Sequence, residues 1–129
     1  MNNIRAFEDR DKVFLQTVYN FGGSDQVAFD IFRFDDNGLI SEHWDNLSPL
    51  SLPNPSGHTQ IDGSLEVKDR DKTEENRKLI KEFLFDVMQN NHPEKTASYF
   101  DGEKYIQNNA GIADGLSGLG KALEKLGKQ

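Results

Sequence analysis

The hydrophobic pattern of this chain changes period once, and that single change limits the folds open to it. From Ile4 to about Asn46, apolar and polar residues alternate in short runs, which argues strands. From Asp71 onward the apolar residues recur at helical spacing. Strands segregated from helices in this way define an α+β chain rather than an alternating α/β one. Ile4–Phe7, Val13–Tyr19, Val27–Phe34 and Leu39–Asp45 are the expected strands, rich in β-branched and aromatic residues. Polar or glycine-containing turns separate them: 8–12, 22–25 and Asp35-Asp36-Asn37-Gly38, where Asn-Gly suits the positive φ of a hairpin. Together they make an antiparallel meander over residues 1–46.

Residues 47–72 form a polar connection with Pro53, Pro55, Gly57 and Gly63 among Ser, Asn and Asp. It is too long for a casual loop, so it either packs as an extended arm or links two units. The helical half, 73–129, begins where Asp71 or Thr73 can cap, with Glu74 and Glu75 in the first turn. Leu79, Ile80, Phe83, Leu84, Val87 and Met88 form its apolar stripe. A short helix over Glu94–Tyr99 follows, then a brief strand at Tyr105–Gln107. A third helix is expected over Gly115–Lys128, with Asp114 as its cap.

At 129 residues the chain is one ordinary domain's worth of sequence. A net charge of −7 argues against a nucleic-acid partner, because binding phosphates needs a Lys/Arg surplus. There is no Cys, hence no disulfide, thiolate metal site or cysteine nucleophile. No apolar run approaches the roughly 20 residues of a membrane span, and the N-terminus lacks a signal-like stretch. A cytoplasmic chain without a membrane partner is the expectation. With three His and no HxxxH pair, a metal site has little support and no cofactor is expected. The glycines between Gly111 and Gly120 lack the strand–GxGxxG–helix context of a nucleotide site.

The segment DIFRFDDNGLISEHWDN (Asp30–Asn46) resembles the last hairpin of SnoaL-like polyketide cyclases, within the nuclear transport factor 2-like superfamily. KTEENRKLIKEFLFDVM (72–88) and YIQNNAGIADGLSGL (105–119) resemble the opening of the same family, and SGHTQIDG (56–63) resembles its tail. The order differs: family members run helices first and the meander afterwards. The resemblance therefore implies one full set of elements in circularly permuted order, 1–129, cut between the third helix and the following strand. Either the link folds back within one chain, or it stays extended and the helices of one chain cover the sheet of another. Stretched, it spans on the order of 70 Å, enough for both. A homodimer, with or without exchanged halves, is expected on either route.

The resemblance also implies a cone-shaped pocket for a small apolar or carbonyl-containing ligand, and cofactor-independent acid–base chemistry such as an aldol-type cyclisation or isomerisation. Asp30, flanked by Phe29, Ile31 and Phe32, is the candidate acid or base, since burial of a carboxylate suits it to proton transfer. His43 is its candidate partner. With a four-residue turn Asp30 falls opposite His43; with a two-residue Asn37-Gly38 turn Arg33 faces Glu42, Phe32 faces His43, and the dyad is expected to dissolve. Trp44 is a packing residue or a pocket wall. Tyr105, Gln107 and Asn108 offer substrate hydrogen bonds, Asn108 standing where the family often has His. A non-catalytic binding or assembly domain of the same fold is the alternative.

Overall fold

The structure, a computed structural model, describes residues 1–127. The chain divides into two compact units, Met1–Leu52 and Pro53–Gln129. The first is a four-stranded antiparallel sheet in the order β1-β2-β3-β4, formed by β1 (Asn2–Asp9), β2 (Lys12–Phe21), β3 (Ser24–Phe34) and β4 (Ile40–Pro49). The expected meander is present, and every strand reaches further into polar sequence than its apolar core suggested. Tight hairpins explain this at the first two turns. Asp9 pairs with Lys12 and Phe21 with Ser24, so only two residues remain in each turn. Gly22 and Gly23 take φ of 60° and 89°, a geometry that glycine adopts without a Cβ penalty.

The third hairpin differs. Asp35 Oδ1 accepts from Asn37 N at 2.9 Å and Leu39 N at 3.0 Å, an Asx turn that leaves Phe34 paired with Ile40. The register then shifts so that Arg33 faces Glu42, which leaves Ser41 as a bulge residue. Ser41 Oγ donates to Arg33 O at 3.2 Å.

Alternation assigns the two faces. Ala28, Asp30 and Phe32 share one face with Leu15, Thr17, Tyr19, His43 and Asp45. Phe29, Ile31 and Arg33 share the other with Phe7, Phe14, Glu42 and Trp44. Burial is deepest at the centre of the β2–β3 ladder, at Gln16, Thr17, Val27 and Ala28. On the second face, Phe7, Phe14 and Phe29 stack in sequence at 5.9 and 6.0 Å, and Phe7, Phe29, Ile31 and Trp44 are exposed.

In the second unit a single 3-10 turn, Arg70–Lys72, runs directly into α1 (Thr73–Phe83). Neither Asp71 nor Thr73 caps this helix. The turn delivers Lys72 to the N-cap position, no side-chain cap bond forms among the described residues, and Thr73 Oγ1 donates back to Arg70 O at 3.1 Å. The helix widens into a π-helical stretch, Leu84–Gln89, and a 3-10 helix spans Pro93–Tyr99. Of the expected apolar stripe only Val87 is buried, while Leu79, Ile80, Leu84 and Met88 are exposed. Phe83 packs edge-on against Tyr99 and Phe100 at 5.6 and 5.5 Å. Asp86 accepts from the Tyr99 hydroxyl at 2.6 Å and from Lys95 Nζ at 3.1 Å. These bonds lower the Asp86 carboxyl and push the Tyr99 hydroxyl up to about 12.

The strand expected at Tyr105–Gln107 is an irregular loop. Its side chains bond locally: Gln107 Oε1 accepts from Asn109 N at 3.0 Å, and Asn109 Oδ1 from Gly111 N at 2.9 Å. Such bonds offer the backbone an alternative to a ladder. α2 spans Gly115–Gly127, and Lys128, the expected end, lies outside the described residues. Glu103 rather than Asp114 meets its first turn, its Oε2 accepting from Ser117 N at 3.2 Å and Ser117 Oγ at 3.0 Å. A Cβ on Gly118 would collide with the Ala113 carbonyl. Gly118→Ala should therefore destabilise the unit by about 1–3 kcal/mol, overriding the ~1 kcal/mol that alanine gains in a helix. Urea titration followed by circular dichroism measures this, and a raised midpoint would refute the close approach.

Candidate functional site

Asp30 sits in the middle of β3 with its side chain 7% exposed. Across the sheet it is directly opposite Leu15 on β2 and Asp45 on β4. His43 is opposite Phe32, the second of the two registers open to the sequence, and Arg33 Nε pairs with Glu42 Oε2 at 2.8 Å as that register requires. The dyad nevertheless forms, with His43 Nε2 2.7 Å from Asp30 Oδ1. The expectation that this register dissolves it is incorrect. Phe32 and Asp30 lie two residues apart on one face, so Asp30 is the diagonal neighbour of His43, within reach of a long side chain. Phe32 fixes the imidazole, stacking on it at 4.3 Å with 10° between planes. From β2, Tyr19 reaches across and donates its hydroxyl to Asp30 Oδ2 at 3.3 Å. A buried carboxylate thus holds two polar partners, while the imidazole side chain, 40% exposed, opens to solvent.

Trp44 lies on the opposite face, facing Ile31, and is not brought to the dyad. Tyr105, Gln107 and Asn108 belong to the second unit, where they serve a different network. Gln107 Nε2 donates to Tyr105 Oη at 3.1 Å, and Asn108 Nδ2 donates to Thr59 O and Asp62 Oδ1, both at 2.7 Å. The centre of this network is Asn54, a buried residue. Its Nδ2 meets Gln107 O at 2.7 Å, Ile112 O at 3.0 Å and Asp114 Oδ1 at 3.1 Å, and its Oδ1 accepts from Ser56 N and His58 N at 2.9 Å. His58 is held between two carboxylates, Nδ1 3.2 Å from Asp62 Oδ2 and Nε2 3.1 Å from Asp114 Oδ2.

The sequence reading passed over Asn54 and Asp62, and the SGHTQIDG resemblance was the one signal pointing to this segment. Part of the supposed link is therefore packed structure. Asp62 is lowered below its ordinary value of 3.8, first by the Thr59 N–H, then by the His58 and Asn108 side chains. A depressed carboxyl contributes stability that is complete above its unfolded value and lost as pH falls through its folded one. The second unit should therefore lose stability below about pH 4, and Asp62→Asn should flatten that acid limb in pH-dependent urea melts.

The second unit also carries an apolar groove of about 740 Å³, lined by Val87, Met88, Ala97, Leu116, Leu123 and Leu126. Glu94 and Glu124 are its carboxylates, and none of the residues singled out in the sequence for chemistry lines it. Groups that could hold a metal ion converge elsewhere: Asp30, His43 and Asp45 each offer one atom within 4.8 Å of the others. No helix among the described residues is long and apolar enough to cross a membrane. Comparisons with protein families, curated proteins and solved structures give no match for this chain.

Proposed function

We propose that the chain performs cofactor-independent acid–base chemistry on a small carbonyl compound, with Asp30 and His43 as the proton-transfer pair. The observation that carries this reading is the 2.7 Å contact between a buried carboxylate and a solvent-facing imidazole on one sheet face. Asp30 orients the ring and stabilises the charge it gains as His43 takes a proton from a carbon next to the carbonyl, and the protonated ring returns that proton to a different atom. Tyr19 holds the far carboxylate oxygen. The experiment is solvent-deuterium wash-in at the α-carbons of a panel of small ketones and β-dicarbonyls. Exchange that saturates with ketone concentration supports the pair. Exchange no faster than in equimolar acetate and imidazole overturns it.

For the fold, the reading is a SnoaL-like, nuclear transport factor 2-like cone in permuted order. Four antiparallel strands and three helices supply its elements at the coarse level. A homodimer, with or without exchanged helical halves, completes it. The exposed apolar face of Phe7, Phe29, Ile31 and Trp44 favours such assembly, and also favours the second reading, an assembly module without catalysis. A monomer at micromolar concentration in equilibrium sedimentation would sink both dimer versions.

A further inference from the structure

We propose that Asp30, His43 and Asp45 form a binding site for one divalent transition-metal ion. The three side chains come from adjacent positions on one face of the β3–β4 ladder, and one ligand atom of each lies within 4.8 Å of the others. Asp45 is exposed, His43 is exposed and seated against Phe32, and Asp30 is buried. Such an ion is held by bonds of ~2.0–2.2 Å, so the three ligand atoms would have to close around it.

The register supplies a second argument. Asp30 and Asp45 are directly opposite each other, and like charges in that position repel. One of them, Asp30, is also buried, where a charge is costly unless it is paired. His43 supplies at most one positive charge against two carboxylates. A divalent ion supplies two, and it takes the place between Asp30 Oδ1 and His43 Nε2 now bridged by a hydrogen bond. The Tyr19 hydroxyl on Asp30 Oδ2 leaves Oδ1 turned toward the ion, the usual role of an outer-shell donor.

One imidazole with two carboxylates selects the chemical class. Mg²⁺ and Ca²⁺ favour all-oxygen sets of higher coordination, while an imidazole nitrogen suits Zn²⁺, Co²⁺ and Ni²⁺. Three protein ligands leave further positions for water or a carbonyl oxygen. The site stands on the same side chains as the acid–base pair but does not depend on its catalysis.

The test titrates the chelator-treated full chain with cobalt(II) chloride, reading visible absorption, and with zinc sulfate by calorimetry. One ion per chain is expected. Asp45→Asn should weaken binding at least tenfold, since even outer-shell changes cost about 10–100-fold, and His43→Gln should weaken it as much. Circular dichroism checks that both variants keep the fold. Binding unchanged in either folded variant, or no binding by the parent chain, overturns the proposal. Deuterium wash-in by metal-free Asp45→Asn reads the acid–base pair separately, because that variant keeps Asp30 and His43.

Discussion

Asn54→Ala should unfold the second unit or come close to it, with a loss on the order of 3–5 kcal/mol. Asn54 is 4% exposed, and its side chain meets five groups: two carbonyls, one carboxylate oxygen and two backbone N–H groups. Each buried partner left without a bond costs about 1–3 kcal/mol, whereas the asparagine's own desolvation is relieved only once. The segments it joins are far apart in sequence, so nothing local replaces it. Ser56→Ala is the contrast. It removes one bond, from Asp114 N to Ser56 Oγ at 3.0 Å, in an exposed setting where water substitutes, so about 1 kcal/mol or less is expected. Urea titration at 222 nm measures both. Equal midpoints for Asn54→Ala and Ser56→Ala would remove Asn54 from the centre of the network.

The fold was legible wherever a periodic pattern carried it. The four strands, the helix after Thr73 and the helix after Gly115 all follow from alternation or helical spacing. What escaped was local polar chemistry. Tyr105–Gln107 alternates like a strand, but Gln107 and Asn109 bond their own backbone neighbours, and alternation does not register that competition. Asp71, Thr73 and Asp114 have the composition of caps. The chain reaches α1 through a 3-10 turn, and Asp114 is engaged by Asn54, Gln107 N and His58, so composition misleads at all three. At the candidate site Asp30 and His43 were both singled out, yet their meeting depended on a register that the turn did not specify. The Ser41 bulge allowed Phe32 to face His43 while the diagonal contact kept the dyad. Asp45 was read as a strand end, because only the register shows that it stands opposite Asp30. A cross-strand cluster has no fixed spacing along the chain.

Asp30→Asn should reduce any turnover found for this chain by roughly 10²–10⁴, the range by which a positioned acid or base accelerates proton transfer. The same change should leave the urea midpoint within about 1 kcal/mol of the parent. The geometry accounts for the contrast. An amide oxygen in place of Oδ2 still accepts the Tyr19 hydroxyl, and an amide N–H in place of Oδ1 donates to His43 Nε2 where the carboxylate accepted from it, so the buried groups stay paired. Removing the charge opposite Asp45 relieves a repulsion and offsets part of whatever is lost. The proton inventory changes completely. The amide carries no charge to stabilise a protonated ring, and with its N–H on Nε2 the ring's own proton moves to Nδ1, the nitrogen that Asp30 leaves free to take one. Asp30→Leu is the harsher variant, leaving Tyr19 Oη and His43 Nε2 without their partner, and should cost about 1–3 kcal/mol as well as activity. If Asp30→Asn melts like Asp30→Leu, the carboxylate is a structural group of the sheet. If Asp30→Asn turns over substrate like the parent, proton transfer runs elsewhere and the dyad reading fails.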